Sequence, residues 1–288
     1  MELGEIFAPV APEMAAVDTR LQVLMREVSA QTAAARGKAR ILDRIVQHPF
    51  AVPGKRIRPA LVLLTAHAVT TGAAAPDHES LIALAGAVEV LHAASLVHDD
   101  IIDNADSRRH QVSLNKRFGN RVAVLAGDIL YTNFFSVITG LTRLDHAKRF
   151  ALLDIFLETT KAMCMGEIIA QEVAATGRHL RLDEYVEIAT DKTAVLFSAC
   201  CRTAAVLCDA PETQQVCLGE LGMNFGLAFQ MADDLVDKDH GLDGSVDLAG
   251  ITRSYAQKAR EGITELAAGS HRDSLRDLVE YVISSAIP

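Results

Sequence analysis

Apolar residues recur at helical spacing along most of this chain and almost nowhere at the alternation of a strand. Between residues 13 and 46, Met14, Val17, Leu21, Leu24, Met25 and Val28 share one stripe, as an amphipathic helix requires. Pro53-Gly54 breaks that pattern, and Pro59 suits the first turn of a helix over roughly residues 60–70. Residues 71–76 read as a loop. Residues 80–102 are apolar nearly all round, which predicts a central, buried helix. Residues 104–120 are polar and basic and read as a surface rim. Four more helices are predicted over 121–140, 147–172, 183–208 and 212–237. A glycine-containing loop follows over 239–250, and residues 251–287 give one or two terminal helices broken near Gly269-Ser270. No segment alternates well enough to be a strand. The pattern predicts one all-α bundle, a single domain over residues 1–288, without repeats or an interdomain linker.

Composition sharpens this picture. Half of the 288 residues are hydrophobic, enough for a sizeable core, and Trp is absent. The formal net charge of −9 argues against nucleic-acid binding, which needs an excess of Lys and Arg to neutralise phosphates. Any anionic ligand must therefore be held by local cations or by metal. Cys164, Cys200, Cys201, Cys208 and Cys217 form no CxxC pair and lie in apolar helical stretches, so they read as buried free thiols in a reducing compartment. The first twenty residues lack a basic leader region, and no apolar run reads as long enough to span a membrane. A soluble, cytoplasmic protein is expected.

Candidate chemistry centres on two copies of one motif, Asp99-Asp100-Ile101-Ile102-Asp103 and Asp233-Asp234-Leu235-Val236-Asp237, each running out of an apolar helix. Residues four apart share a helical face, so Asp99 pairs with Asp103 and Asp233 with Asp237. Gathered carboxylates repel unless cations neutralise them. Two such clusters facing each other across a helical cavity suit several Mg²⁺ ions, hard cations that bridge carboxylates to phosphate. An acidic helix end exposed to water is the bland reading of one copy, and the second copy argues against it.

Cations accompany the aspartates. Gly54-Lys55-Arg56-Ile57-Arg58-Pro59 sets three beside a helix start, either a solvated basic turn or a diphosphate clamp made by Lys55 and Arg58. His92 lies two helical turns before Asp99, on nearly the same face, which suits either a core histidine or a ligand-binding one. His98, beside the cluster, reads as supporting structure. Arg108-Arg109 follow the first cluster. Lys192-Thr193 enter an otherwise apolar helix, which is costly unless the lysine finds an anion. Gln230 sits one turn before Asp234.

Taken in order, GKRIRP, LHAASLVHDDIIDNADSRR, FGNRVAVLAGDIL, DKTAVLF and FGLAFQMADDLVD resemble the motifs of the trans-isoprenyl (polyprenyl) diphosphate synthases over nearly the whole chain. The local pattern is most similar to the synthases that make long quinone side chains. The resemblance implies an all-α isoprenoid synthase-type bundle around a deep central cavity, usually a homodimer, that couples an allylic diphosphate to isopentenyl diphosphate. It implies that Lys55, Arg58, His92 and Arg109 bind isopentenyl diphosphate and that Arg108, Lys192, Thr193 and Gln230 contact the allylic diphosphate. Asp99, Asp103, Asp233 and Asp237 are then Mg²⁺ ligands, roughly two to three ions in all, with Asp100 in support. Asp99, Asp100, Asp103, Arg108, Lys192 and Asp233 carry the ionisation, in which metal and cations stabilise the leaving diphosphate. Bulky residues one turn above the first aspartate block the growing tail in this family. Here Ala94 and Ser95 are small, with Leu91 and Val88 deeper, which implies a product of roughly thirty to fifty carbons, because only an unoccluded pocket fills without strain.

The chain also departs from the family. After Asp237 the usual pair of Gly-Lys dipeptides is absent, Asp247-Leu248 echoes the family's Asp-Leu, and several tens of residues are missing around 238–252. Lys238 is not at an equivalent position, although it stands near enough in sequence to approach the site. The family's Gly-Glu-x-x-Gln appears as Gly166-Glu167 with Gln171 one place late. These departures leave two other readings. One is a non-catalytic subunit of a heteromeric synthase, which the intact aspartates oppose. The other is a class I terpene cyclase, which Lys55, Arg58 and His92 oppose.

Overall fold

The computed structural model describes residues 2–36, 39–69, 76–237 and 241–287, without the side chains of 29–36 and 39–40, and helices dominate it. They are α1 (Leu3–Ile6), α2 (Ala11–Arg36), α3 (Ala39–Gln47), α4 (Ile57–Val69), α5 (His78–Ile102), α6 (Leu114–Phe118), α7 (Asn120–Thr139), α8 (His146–Thr176), α9 (Leu182–Ala189), α10 (Val195–Leu207), α11 (Glu212–Asp237), α12 (Leu248–Thr264) and α13 (Ser270–Ala286). The all-α expectation holds, with local corrections. α4 begins at Ile57, so Pro59 sits within its first turn. The stripe predicted over 13–46 falls on α2 and α3, with residues 37–38 outside the described residues, as is most of the loop expected over 71–76. The rim segment contains two short strands that the sequence pattern did not reveal, β1 (Ser107–Arg108) and β2 (Gln111–Val112). Two residues per strand are too few to show alternation.

Interleaved segments build two compact units. One comprises Pro12–Ala60 and His78–Asp145. Its centre is α5, whose Leu84, Val88, Leu91 and Ala94 are fully enclosed. α7 packs on α5 through Ala123, Ala126, Leu130 and Phe134. His98 belongs to this packing, as expected of a structural residue: it stacks on Tyr131 with centroids 5.6 Å apart, and its Nε2 lies 3.2 Å from the Val124 carbonyl. α5 ends sharply because Asn104 adopts a left-handed conformation (φ 51°). Its N–H bonds to the Ile101 carbonyl, and the Ala105 N–H bonds to that of Asp100 at 2.9 Å. This paired termination satisfies carbonyls that a bare helix end would leave open.

The other unit comprises Met1–Ala11, Leu61–Asp77 and His146–Pro288. α11 is its hub, packed against α10, α12 and α13. The rings of Phe197 and Phe225 meet edge to face at 5.3 Å within its core. The helix predicted over 183–208 is interrupted by a π-helical turn, Thr190–Ala194, between α9 and α10. Residues 241–248 pack onto this core. Leu242 and Leu248 are buried with Tyr185, Leu227 and Met231, and the Leu180 N–H donates to the Gly241 carbonyl at 2.8 Å. Asp247 then caps α12 by accepting from the Gly250 N–H. Lys238 lies outside the described residues.

Two further expectations are corrected. α5 and α7 are both long and apolar enough to cross a membrane; α5 is mostly buried, as the core helix of a unit would be, whereas only a third of the α7 stretch is covered. Cys200, Cys201 and Cys208 are buried, but Cys164 and Cys217 are exposed on the outer faces of α8 and α11. Burial pushes the thiols of Cys201 and Cys208 up to about 12, so neither supplies thiolate near neutral pH.

Candidate functional site

In the first unit, the last turns of α5, the turn before α4 and the β1–β2 hairpin gather cations around a small cleft that is open to solvent. Arg56, His92, Asp100, Arg108 and Arg109 line it, over an apolar wall that includes Ala93, Leu96 and Val97. Arg58 reaches His92, with Nη1 3.1 Å from Nε2. Arg is always a donor, so this imidazole nitrogen accepts. Burial, and then the charges of Arg58, Arg109, Arg108 and Arg56, push the His92 pKa well below its ordinary value. Burial also lowers that of Arg109; Glu89 offsets part of this, and Arg56 and Arg108 add to it. The cleft is thus locally positive in a protein of net charge −9, an environment that favours an anion. Lys55, in the same turn, is exposed and is not among the residues lining the cleft.

The sequence reading missed what holds these cations in place. Arg56 occupies a left-handed backbone conformation (φ 56°) and turns inward. It donates to Glu89 on α5 at 2.6 Å and to Asp18 on α2 at 3.0 Å. Burial opposes its charge, but the two carboxylates outweigh burial and hold its pKa above the usual value. One signal was available: Glu89 is a lone carboxylate inside an otherwise apolar helix, and a buried carboxylate needs a partner. A Cβ at Gly54 would come within 2.5 Å of the Arg109 guanidinium, so that side chain would have to shift.

The aspartates of the first copy divide by helical geometry. Successive residues are about 100° apart, which separates Asp100 from the face shared by Asp99 and Asp103. Asp100 is buried and accepts from Arg108 Nε at 2.6 Å. Burial raises its pKa, Arg108 lowers it, and Asp103 adds to the rise. Asp99 is half-buried and Asp103 exposed. Leu91 and Ser95 precede Asp99 on its own face at intervals of four residues; Leu91 and Ala94 are enclosed, and the half-buried Ser95 bonds to the His92 carbonyl at 2.9 Å.

The second copy, in the other unit, follows the same rule. Its middle aspartate is again held by neighbouring side chains: Tyr185 donates its phenol to Asp234, and Gln230 Nε2 donates to the other oxygen at 2.9 Å. Thr193 in turn donates to Gln230 Oε1 at 2.8 Å. Burial, with Asp234 alongside, pushes the Tyr185 pKa well up, so the phenol remains a donor. Nothing in the sequence singled out Tyr185. Lys192 finds the anion that its placement demanded, lying 2.6 Å from Glu167 on α8. Gln171, displaced by one place from the family pattern, still stands one turn from Glu167 and donates to it at 2.9 Å. Gly166 allows α8 to meet the π turn, since a side chain there would lie 2.6 Å from the Lys192 backbone nitrogen. Asp233 is half-buried and Asp237 exposed.

The first copy ends α5, with Asp103 the residue just after it, and the second ends α11. The helix dipole places partial negative charge there, the least favourable end for carboxylates. Residues 39–240 match the family model described as polyprenyl synthetase. The chain belongs to the polyprenyl synthetase family.

Among relatives, a prenyl transferase of Synechocystis is 36% identical, with 84% of this chain and 89% of that protein covered. The octaprenyl diphosphate synthase of Escherichia coli is 34% identical over 66% of this chain and 55% of its own length. This match therefore spans only about half of that relative. Among solved structures, geranylgeranyl pyrophosphate synthetase from Pyrococcus horikoshii superposes with a TM-score of 0.83 at 22% identity, over 97% of this chain and 98% of that one. The decaprenyl diphosphate synthase of Rhodobacter capsulatus gives 0.80 at 25% identity over the whole of both chains. Membership makes this chain an enzyme of the prenyl transferase class and its fold an isoprenoid synthase fold.

Proposed function

We propose that the protein condenses isopentenyl diphosphate with an allylic diphosphate, such as farnesyl diphosphate, to give a long-chain trans-polyprenyl diphosphate. The observation that carries this reading is the shared design of the two aspartate motifs. Each closes a helix at its negative end, and each commits its middle aspartate to protein partners. Asp99 with Asp103, and Asp233 with Asp237, stand about one helical turn apart as pairs of hard oxygen donors. Among the described residues no group of three or more His, Cys, Asp or Glu forms a ready cage for a metal. Mg²⁺ ordinarily takes one or two carboxylates and completes its shell with water and phosphate, so such pairs fit Mg²⁺ shared with a diphosphate. When bound, Mg²⁺ supplies charge stabilisation to the departing diphosphate.

The chain's own residues do the rest. Arg58, His92 and Arg109 hold and orient isopentenyl diphosphate at the positive cleft, and Lys55 joins them from the exposed turn beside it. His92 serves as a neutral ring that accepts from Arg58 and so fixes that guanidinium. Arg108, Lys192, Thr193 and Gln230 hold the allylic diphosphate, with Lys192 exchanging Glu167 for phosphate. Lost water strengthens these contacts, and the apolar α5 keeps the tail dry. The small Ala94 and Ser95 set a product of roughly thirty to fifty carbons, since no bulky group occludes the tail there. The exposed apolar residues of α7 (Val124, Leu125) and of α8 (Phe150, Leu157, Met165, Ile168) support a homodimer. Five free cysteines fit the cytoplasm.

The test is incubation with Mg²⁺, labelled isopentenyl diphosphate and either a farnesyl or a geranylgeranyl primer, followed by sizing of the extracted products. A ladder ending in one long product is expected. No incorporation with either primer overturns the activity, and a product of about twenty carbons or fewer overturns the length argument. Ser95→Phe should shorten the product.

A further inference from the structure

The β1–β2 hairpin carries both Arg108 and Arg109, yet little in the hairpin itself accounts for its shape. Only two residue pairs, Ser107 with Val112 and Arg108 with Gln111, make up its ladder. An isolated hairpin so short is not stable in water. The two turn residues, Arg109 (φ 52°) and His110 (φ 61°), both adopt left-handed conformations. This is the turn that normally takes Asn-Gly, because side chains are strained there. Something outside the hairpin must impose the geometry.

On the first strand Arg108 is tied to Asp100; the anchor of the second strand is His48, which lies just beyond α3 and is 8% exposed. Its Nε2 lies 2.8 Å from the Val112 carbonyl, and Gln111 Nε2 lies 2.7 Å from its Nδ1. Arg117 Nη1 also approaches Nδ1, at 3.3 Å, and Phe118 meets the ring edge to face. These partners assign the hydrogen to Nε2 and leave Nδ1 as an acceptor. Both strand residues that follow the turn are therefore gripped by one imidazole. His48, Gln111 and Val112 line the same cleft as Arg108 and Arg109, but both ring nitrogens of His48 are occupied by protein.

We propose that His48 is a positioning residue: through Gln111 and Val112 it holds the strained hairpin so that Arg108 and Arg109 present their guanidinium groups to diphosphate in the cleft. The inference rests on the diphosphate reading of that cleft. It assigns His48 to substrate affinity and not to the chemical step, because the residue acts on where the arginines stand before substrate arrives.

The test compares wild type, His48→Leu and His48→Gln by calorimetric titration with inorganic diphosphate and Mg²⁺, and by kcat and KM for isopentenyl diphosphate. His48→Leu should weaken diphosphate binding and raise KM about tenfold while kcat stays within about threefold, the signature of lost uniform binding. His48→Gln, whose amide keeps a donor for the Val112 carbonyl, should recover much of that loss. Gln111→Met breaks the link from the hairpin side and should raise KM even if His48→Leu fails to fold. Wild type that binds no diphosphate overturns the functional reading itself. Wild type that binds, with folded His48→Leu and Gln111→Met equal to it, overturns only the role of His48. So does a fall in kcat at unchanged KM, or a folded Gln variant no better than Leu.

Discussion

Arg56 Nη1 and Glu89 Oε1 meet at 2.6 Å, and the carboxylate is only 4% exposed. Removing one member of such a pair strands the other charge in the protein, which costs far more than the pair itself contributes. Arg56→Ala is expected to lower stability by about 3 kcal/mol or more in denaturant titration, because Glu89 is left unpaired. Replacing both residues together, Arg56→Met with Glu89→Leu, should recover most of the loss. A single variant as stable as wild type would show that the pair does not hold the turn before α4.

The division of labour among the aspartates predicts two different phenotypes. Asp99→Asn and Asp233→Asn should lower kcat about a hundredfold or more, the scale seen when groups that stabilise developing charge are lost. They should also raise the Mg²⁺ concentration needed for half activity. Asp100→Asn should instead loosen Arg108 and raise KM for the allylic primer, with a smaller change in Mg²⁺ demand. Metal titrations of the three variants separate these outcomes, and identical curves would refute the division.

Stability should fall on acidification because of His92. Its folded pKa lies well below the ordinary 6.5, lowered by burial and by four arginines. Between those two values the unfolded chain binds a proton that the native protein refuses, so unfolding is favoured as pH drops through and below 6.5. Above that value the contribution is fully present. Melting temperature followed from about pH 7.5 to about 5.5 should decline less steeply for His92→Gln than for wild type. Parallel declines would show that His92 keeps an ordinary pKa.

His110→Gly should raise stability. The left-handed backbone costs an L-residue roughly 1 kcal/mol that glycine does not incur. The measurement is the denaturation midpoint. A lower midpoint would mean that the His110 side chain makes compensating contacts worth more than the strain.

Much of this molecule was legible in its sequence, and the limits have physical causes. Helical periodicity located α5, α7, α8 and α11 to within a few residues because long amphipathic or buried stretches carry their own signal. Spacing alone separated Asp99 and Asp103 from Asp100. Tyr185 was invisible because a tyrosine on an amphipathic helix looks like core until the distant Asp234 is placed beside it. His48 and Gln111 are 63 residues apart, and no local rule joins them. The β1–β2 hairpin escaped because its strands are shorter than any pattern that could reveal them. The π turn escaped because its residues, Thr190–Ala194, continue the helical period without a breaker. After Asp237 the sequence reads mainly as a departure from the family pattern, and only the structure shows Leu242 and Leu248 seated in the core.

The π turn amounts to one residue spliced into a helix, and it separates two obligations that a regular helix would have to satisfy together. Upstream, the register of α9 is answerable to Tyr185 and Asp234. Downstream, the register of α10 is answerable to Phe197 and the aromatic cluster around it. Because the splice absorbs the phase difference, the packing of α10 can change without dragging Tyr185 away from Asp234. Excision of a single residue between 190 and 194 would couple the two again, and every later side chain on the helix would be turned by about a quarter of a revolution.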